Sequence, residues 1–430
     1  MPTRSVRGRV PSSTRGRRRP RPGIGLALAG GGPLGGIYEV GALLALSDSL
    51  AGLRFDDLDV YVGVSSGSYI AAAMANGLSP AQMYRLFIEE GADSSLRPEV
   101  FLRPALAEFS SRVRSLPKLL TRASFQYLRD PFRHGLMESF ATLGRAMPSG
   151  VFDNAAIDGV LSELFAAPGR TNDFRKLKHK LYIVATNLDS GSAVTFGEAG
   201  FDHVPISRAI EASSALPGLF PPVRIDGEYY VDGALNKTLH ASVALDHGIG
   251  LLLCINPLVP FDANKAQQER PSAIHRLSRY GLPVVVSQTF RAIIHSRMRV
   301  GIERYRLEYP DADIVLFEPD RADADMFFTN LFSYAQRKRL CAAAFDKIRQ
   351  NLRARAPTLG PQLARHGITL RADRLENPGR KISDAISDPR PLHASRAGSP
   401  SIEQTARDLR YTLDHLERWL KTSAHAGAHG

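Results

Sequence analysis

Residues 60–77 leave the fold little freedom. Val60-Tyr61-Val62 reads as the end of an apolar strand, and residues 69–74 begin an alanine-rich helix that stops at Gly77. Only Gly63-Val64-Ser65-Ser66-Gly67-Ser68 separates them. So short a link must turn sharply from strand into helix, with Ser65 at the apex. A serine there is held in a strained backbone conformation, and glycines two residues to either side let the flanking chains pass close together. The helix aims the positive end of its dipole at Ser65, where negative charge develops if the hydroxyl attacks an acyl group. Residues 63–67 have the G-x-S-x-G spacing of a nucleophile elbow. Gly and Ser are common, however, and the pentapeptide alone also fits an ordinary strand-to-helix turn.

A second stretch is built alike. Ile24-Gly25-Leu26-Ala27-Leu28-Ala29 is a buried strand running into Gly30-Gly31-Gly32-Pro33-Leu34-Gly35-Gly36, and a helix is predicted over about residues 37–46. Strand, glycine loop and helix N-terminus make an anion site from backbone N–H groups. Gly30, Gly32 and Gly35 match the G-x-G-x-x-G of a dinucleotide fingerprint, whose acid would be Asp48 or Asp56, though neither clearly ends a second strand. An oxyanion hole is the competing use and fits the nearby elbow better.

Further along, apolar runs predict strands at 181–186, 192–196, 251–255 and 313–317. Asp226-Gly227 joins two short strands as a hairpin and leads to Asp232-Gly233-Ala234. Helices are predicted from about 155, capped by Asp153, and over 207–213 and about 283–305. Alternating apolar strands and helices argue for a largely parallel, helix-covered sheet. Residues 78–150 read as a basic, apolar helical insertion, which suits a lid, a lipid-facing surface or a plain helical cap. Arg291, Arg297 and Arg299 read as a solvated helix face or one turned to an anionic lipid surface. The Arg-, Pro- and Asp-rich stretch 355–400 reads as a linker. Ile402, Ala406, Leu409, Leu413, Leu416 and Leu420 recur at helical spacing, so 401–421 is an amphipathic helix that docks on the body or on a protein partner.

Composition closes off other classes. Residues 1–22 hold eight arginines and no acid, two thirds of the net charge of +12, so the body is nearly balanced. That arm should be disordered and reads first as solvated; the alternative is peripheral membrane contact through it and the basic apolar helices, and no specific nucleic-acid binding is expected. Cys254 and Cys341 make no disulfide framework and no metal-type spacing, and are expected as reduced thiols in hydrophobic surroundings. No metal or other cofactor is expected. The uncharged stretch 60–84 is broken by Gly, Ser, Asn and Pro and reads as core, not as a membrane span. A cytoplasmic protein is the expectation, with a peripheral position on a membrane as the alternative.

The glycine loop, the Ser65 elbow and Ala212-Ser213-Ser214-Ala215-Leu216-Pro217-Gly218-Leu219-Phe220-Pro221-Pro222 leading to Tyr230-Val231-Asp232-Gly233-Ala234 occur in one order. Together they resemble the patatin-like phospholipase family over about residues 26–246. The resemblance implies an α/β fold, a three-layer α/β/α sandwich with a mostly parallel central sheet. Residues 23–246 would be the catalytic domain and 247–354 strands and helices packed on it. It also implies a serine–aspartate dyad: Ser65 as nucleophile, Asp232 as its base, Gly30, Gly31, Gly32 and Gly35 around the oxyanion hole, and Gly63, Gly67, Gly233 and Ala234 completing the motifs. Position 34 departs, since the family usually has Arg or Lys where this chain has Leu34. The implied activity is a phospholipase A-type lipid acyl hydrolase working through an acyl-serine. A carboxylesterase or thioesterase on soluble acyl substrates, a catalytically weak lipid-binding protein and a dinucleotide-binding protein are the alternatives. His240, His247, His275 and His295 all follow Asp232, the order of a Ser–Asp–His triad, although the resemblance implies no histidine.

Overall fold

A computed structural model describes residues 23–89, 150, 152–237, 239–269, 277–324, 327 and 334–387. The arm 1–22, nearly all of the insertion beyond residue 89, His275 and the helix 401–421 lie outside the described residues.

The centre is one eight-stranded sheet. The strands β1 (Gly23–Leu28), β3 (Val60–Val64), β4 (Lys180–Asn187), β8 (Ile249–Ile255) and β9 (Asp313–Phe317) pair parallel in the order β4-β3-β1-β8-β9. The antiparallel strands β5 (Ala193–Phe196), β6 (Val223–Ile225) and β7 (Glu228–Asp232) complete it, β5 and β7 both pairing with β4 and β6 with β7. The hairpin at Asp226-Gly227 forms as the sequence indicates, both residues taking positive φ (50° and 91°). Strand β2 (Leu50–Ala51) belongs to a separate two-stranded pair.

Each parallel strand is apolar on both sides because helices cover both faces. On one face Leu26, Leu28, Tyr61, Ile183, Leu253 and Phe317 join a core with α1 (Gly32–Ser49) and α2 (Ser66–Ala75). The helices α3 (Pro80–Phe87), α4 (Ala155–Ala166) and α5 (Ile206–Ser213) contribute to the same core. On the other face Ala27, Val62, Val64, Val184 and Cys254 pack with α6 (Ala241–Leu245) and Met298, Ile302 and Tyr305. Two layers of helix around one sheet is the three-layer α/β/α sandwich. The next helices are α7 (Ala263–Glu269) and α8 (Leu282–Glu308), the latter bearing Met298, Ile302 and Tyr305. Both cysteines are buried free thiols.

The structure corrects the sequence at three places. Helix α1 starts five residues before the predicted 37, inside the glycine loop, because Pro33 carries the fixed φ that suits a first helical turn. Asn154, not Asp153, is the N-cap of α4; its amide is engaged by the Pro221 carbonyl at 3.2 Å. Most of the supposed linker 355–400 is folded. Helix α9 (Tyr334–Ala364) runs through Pro357 and Pro361, and β10 (Thr369–Leu370) then pairs with β2. Two short helices follow, α10 (Ala372–Leu375) and α11 (Ile382–Ser387). Leu352, Leu359, Leu363 and Ile368 are fully buried, and each would cost about 2–5 kcal/mol on truncation to alanine. That packing outweighs the hydrogen bonds the prolines remove. Asp48 on α1 anchors the segment, accepting from Arg374 at 2.8 Å and Arg380 at 2.7 Å, while Arg349 donates to the carbonyls of Arg374, Asn377 and Arg380.

Candidate active site

The sheet sets two side chains beside each other. Val64 at the end of β3 pairs with Val184 of β4, and Ala185, the next residue of β4, pairs with Asp232 at the end of β7. Ser65 and Asp232 therefore leave the sheet at one level. Ser65 adopts φ 51°, ψ −124°, a conformation a non-glycine residue takes only under constraint. Its carbonyl accepts from the Ser68 N–H at 3.0 Å and the Ser68 hydroxyl at 2.5 Å. Its N–H donates to the Ser213 Oγ at 2.9 Å, and the Ser213 hydroxyl donates onward to the Val184 carbonyl at 2.7 Å. The elbow's close passage needs Gly67, where a Cβ would stand 2.6 Å from the Leu28 carbonyl oxygen.

The Ser65 hydroxyl donates to Asp232 Oδ2 at 2.6 Å. The other carboxylate oxygen, Oδ1, accepts from the Ala234 N–H at 2.8 Å. Asp232 is 3% exposed, and burial pushes its pKa up to about 6 from an ordinary 3.8, against the two hydrogen bonds that favour the anion. Gly233 and Ala234 start a single helical turn that folds back over β4. A carboxylate of that basicity, touching a hydroxyl, can accept its proton at neutral pH.

Gly30 lies against this pair: a Cβ on it would stand 2.9 Å from Ser65 Cβ and 3.0 Å from Ala234 Cβ. Among the described residues, the N–H groups of Gly30 and Gly31 have no protein acceptor. With the N-terminal end of α2 they can stabilise an oxyanion formed on a carbonyl attacked by Ser65. Gly32, with φ 61°, opens the loop toward the cavity; Gly35 packs on Pro257, and Gly63 on α2. All ten motif residues of the sequence reading thus lie in or under one site.

The site opens into a cavity of about 710 Å³, within the range of small-molecule pockets, walled by apolar side chains such as Ile37, Val40, Ile70, Phe87, Ile157 and Phe220. Sequence reasoning gave no site role to four polar members. Ser213 and Ser68 fix the elbow backbone, and their hydroxyl roles have no signature in the chain beyond proximity to the motifs. Arg291 and Arg337 are 9% and 4% exposed and line the cavity. The solvated face proposed for Arg291 is thereby corrected, because that side of α8 turns inward.

Two alternatives find no support in the geometry. The acids of a dinucleotide site are engaged elsewhere, Asp48 with Arg374 and Arg380, Asp56 with Arg54. Among the described residues no histidine hydrogen-bonds Ser65. His240 is buried with its pKa pulled down to about 4, His247 meets Glu198 at 3.0 Å, and His295 meets Glu318 at 3.4 Å. Among the described residues, no cluster of His, Cys, Asp or Glu is placed to hold a metal ion, and no helix is long and apolar enough to cross a membrane.

The chain is similar to several known proteins. It is 22% identical over 217 residues to the probable lipid hydrolase 463L of Invertebrate iridescent virus 6, a match spanning 50% of this chain and 62% of the viral protein. Among solved structures it resembles VipD from Legionella pneumophila (16% identity, TM-score 0.35, 78% of this chain and 67% of that one). It also resembles the human GIVD cytosolic phospholipase A2 (18%, TM-score 0.28, 60% and 44%). The model of the patatin-like phospholipase family matches residues 26–245, just over half of the chain and the whole stretch from glycine loop through elbow to Asp232. The chain belongs to the patatin-like phospholipase family.

Proposed function

We propose that this protein is a lipid acyl hydrolase of the phospholipase A type, with Ser65 and Asp232 as a catalytic dyad. One observation carries the reading: the 2.6 Å hydrogen bond from the Ser65 hydroxyl to a buried carboxylate of raised pKa, at the wall of an apolar cavity. Ser65 Oγ attacks the acyl carbonyl carbon while its proton passes to Asp232 Oδ2. The oxyanion is held by the N–H groups of Gly30 and Gly31. The intermediate collapses, the C–O bond to the alcohol breaks, and the leaving alkoxide takes the proton from Asp232. A water then attacks acyl-Ser65, giving its proton to Asp232, and the fatty acid leaves as Ser65 recovers that proton.

The cavity rim favours aggregated lipid over soluble esters. Leu216, Leu219, Val286 and Phe290 line the cavity yet are 37–52% exposed, an apolar mouth suited to receiving an acyl chain from a lipid surface. The test is hydrolysis of a fluorogenic phospholipid in vesicles and of p-nitrophenyl butyrate by the wild type, Ser65→Ala and Asp232→Asn. Both variants should lose activity on both substrates. An Asp232→Asn variant at the wild-type rate would remove Asp232 as base, and butyrate hydrolysis without lipid hydrolysis would favour a soluble acyl ester.

A further inference from the structure

Arg291 is a buried cation that the fold leaves largely unsatisfied. It is 9% exposed, and among the described residues no carboxylate lies within ion-pair distance. Among the described residues its one hydrogen bond is a long one, Nη1–H to the Val259 carbonyl at 3.4 Å, and its guanidinium stands 5.1 Å from the centre of the Phe327 ring. Other arginines here are treated differently: the buried Arg349 donates to several carbonyls, and the half-buried Arg380 is paired with Asp48. Burial alone pulls the Arg291 pKa down, with no acid to offset it. A guanidinium offers a planar fork of five N–H donors, and desolvating it without a partner is strongly unfavourable.

Its position supplies the missing partner. Arg291 lines the cavity that holds Ser65. Apart from Arg337 and Asp232, the described wall around Arg291 carries no other charged side chain and is mostly apolar. The glycine loop adds no cation, because position 34 is a leucine packed on the core. Given the hydrolase reading above, on which this inference rests, we propose that Arg291 binds the phosphate of the acyl substrate and selects phosphate-bearing acyl esters over neutral ones. A guanidinium fork matches phosphate oxygens in a bidentate way, and the fit is strongest where water is excluded. A phospholipid and a soluble acyl-coenzyme A thioester both supply such a phosphate beyond the scissile bond.

The experiment compares phosphatidic acid with diacylglycerol of the same acyl chains, in one neutral detergent micelle, and palmitoyl-coenzyme A in solution. The expected result is that Arg291→Gln lowers the ratio of kcat/KM on phosphatidic acid to that on diacylglycerol by at least about tenfold, the scale of one charge-assisted contact. The change should fall mainly in KM, and Arg291→Lys should restore part of it. A selective loss on palmitoyl-coenzyme A alone would assign the phosphate to a soluble carrier. A ratio unchanged in a folded Arg291→Gln variant overturns the proposal. Calorimetric titration of glycerol 3-phosphate needs no turnover: the wild type and Ser65→Ala should bind it, and Arg291→Gln at least about tenfold more weakly. Absence of binding in the wild type overturns the proposal even where the arginine variant does not fold. Absence of ester hydrolysis with glycerol phosphate binding retained refutes the hydrolase reading and leaves the anion site standing.

Discussion

Under the proposed mechanism, replacing Asp232 with asparagine should abolish ester hydrolysis and stabilise the protein, and the second effect should depend on pH in a set way. Burial holds this carboxyl at a pKa of about 6, against 3.8 in the ordinary state of the unfolded chain. The folded state therefore keeps the proton more tightly, and stability is lost as pH rises from 3.8 through 6. The gap, at about 1.4 kcal/mol per pH unit, amounts to about 3 kcal/mol at pH 8 and about 0.5 kcal/mol at pH 4. Asparagine removes the charge, keeps Oδ1 for the Ala234 N–H and offers an N–H to Ser65 Oγ. Urea unfolding of Asp232→Asn should thus give a gain of up to about 3 kcal/mol at pH 8 that shrinks to near zero at pH 4. The wild-type kcat/KM should fall about tenfold per pH unit below pH 6, and the variant should lose about a hundredfold or more in kcat. A variant less stable than wild type at pH 8, or a gain equal at the two pH values, would refute the burial argument. A wild-type rate flat down to pH 5 would refute Asp232 as the titrating base.

Gly30→Ala should cut kcat on p-nitrophenyl butyrate by about a hundredfold, since its methyl would stand 2.9 Å from Ser65 Cβ beside the proposed oxyanion donors; unchanged turnover would remove the loop from the mechanism. Ser213→Ala should lower the unfolding free energy in urea by about 1–3 kcal/mol, because the buried Ser65 N–H and Val184 carbonyl both lose a partner. Glu39 is fully buried with neither oxygen hydrogen-bonded among the described residues, and burial raises its pKa well above its ordinary value. Its folded state therefore also binds the proton more tightly, so Glu39→Gln should raise the melting temperature at pH 8 and lose that advantage toward pH 4. Asp48→Asn should cost about 3–5 kcal/mol by removing the buried carboxylate that Arg374 and Arg380 both engage, and hydrogen exchange over residues 369–387 should accelerate first.

The parts legible in the chain are those in which local rules and tertiary demands coincide. Apolar runs gave β1, β3, β4, β8 and β9 because strands buried on both faces have no polar side to show. Ser65, Gly67 and Gly30 stand out because crowding of main chain against main chain admits few residue types. The illegible parts depend on surroundings. Pro357 and Pro361 are local breakers, and only the fully buried Leu352, Leu359 and Leu363 keep the helix through them. The same leucines recur at spacings of seven and four, a helical period that the prolines masked. Arg291 stands in register with the buried His295, Met298, Ile302 and Tyr305, at spacings of four and three, while the exposed Arg304 does not; the charges of Arg291 and His295 masked that period.

The absence of a histidine partner for Ser65 among the described residues then has a physical reading. An exposed aspartate is too weak a base for a serine hydroxyl at neutral pH, and a histidine ordinarily makes up the difference. Here the main-chain turn at Gly233 and the packing of β7 and β4 bury Asp232 until its pKa reaches about 6, near that of an imidazole. The apolar wall that would receive an acyl chain is thus continuous with the burial that makes the carboxylate basic. Under the proposed mechanism, a substitution that admitted water beside Asp232 would lower its pKa and weaken the base, even at a position that never touches the substrate. Enlarging the part of the cavity wall that adjoins Asp232 therefore bears on the chemical step as well as on acyl-chain length. The two effects separate in the pH profile: a lost chain contact leaves the inflection in place, and a solvated Asp232 moves it to lower pH.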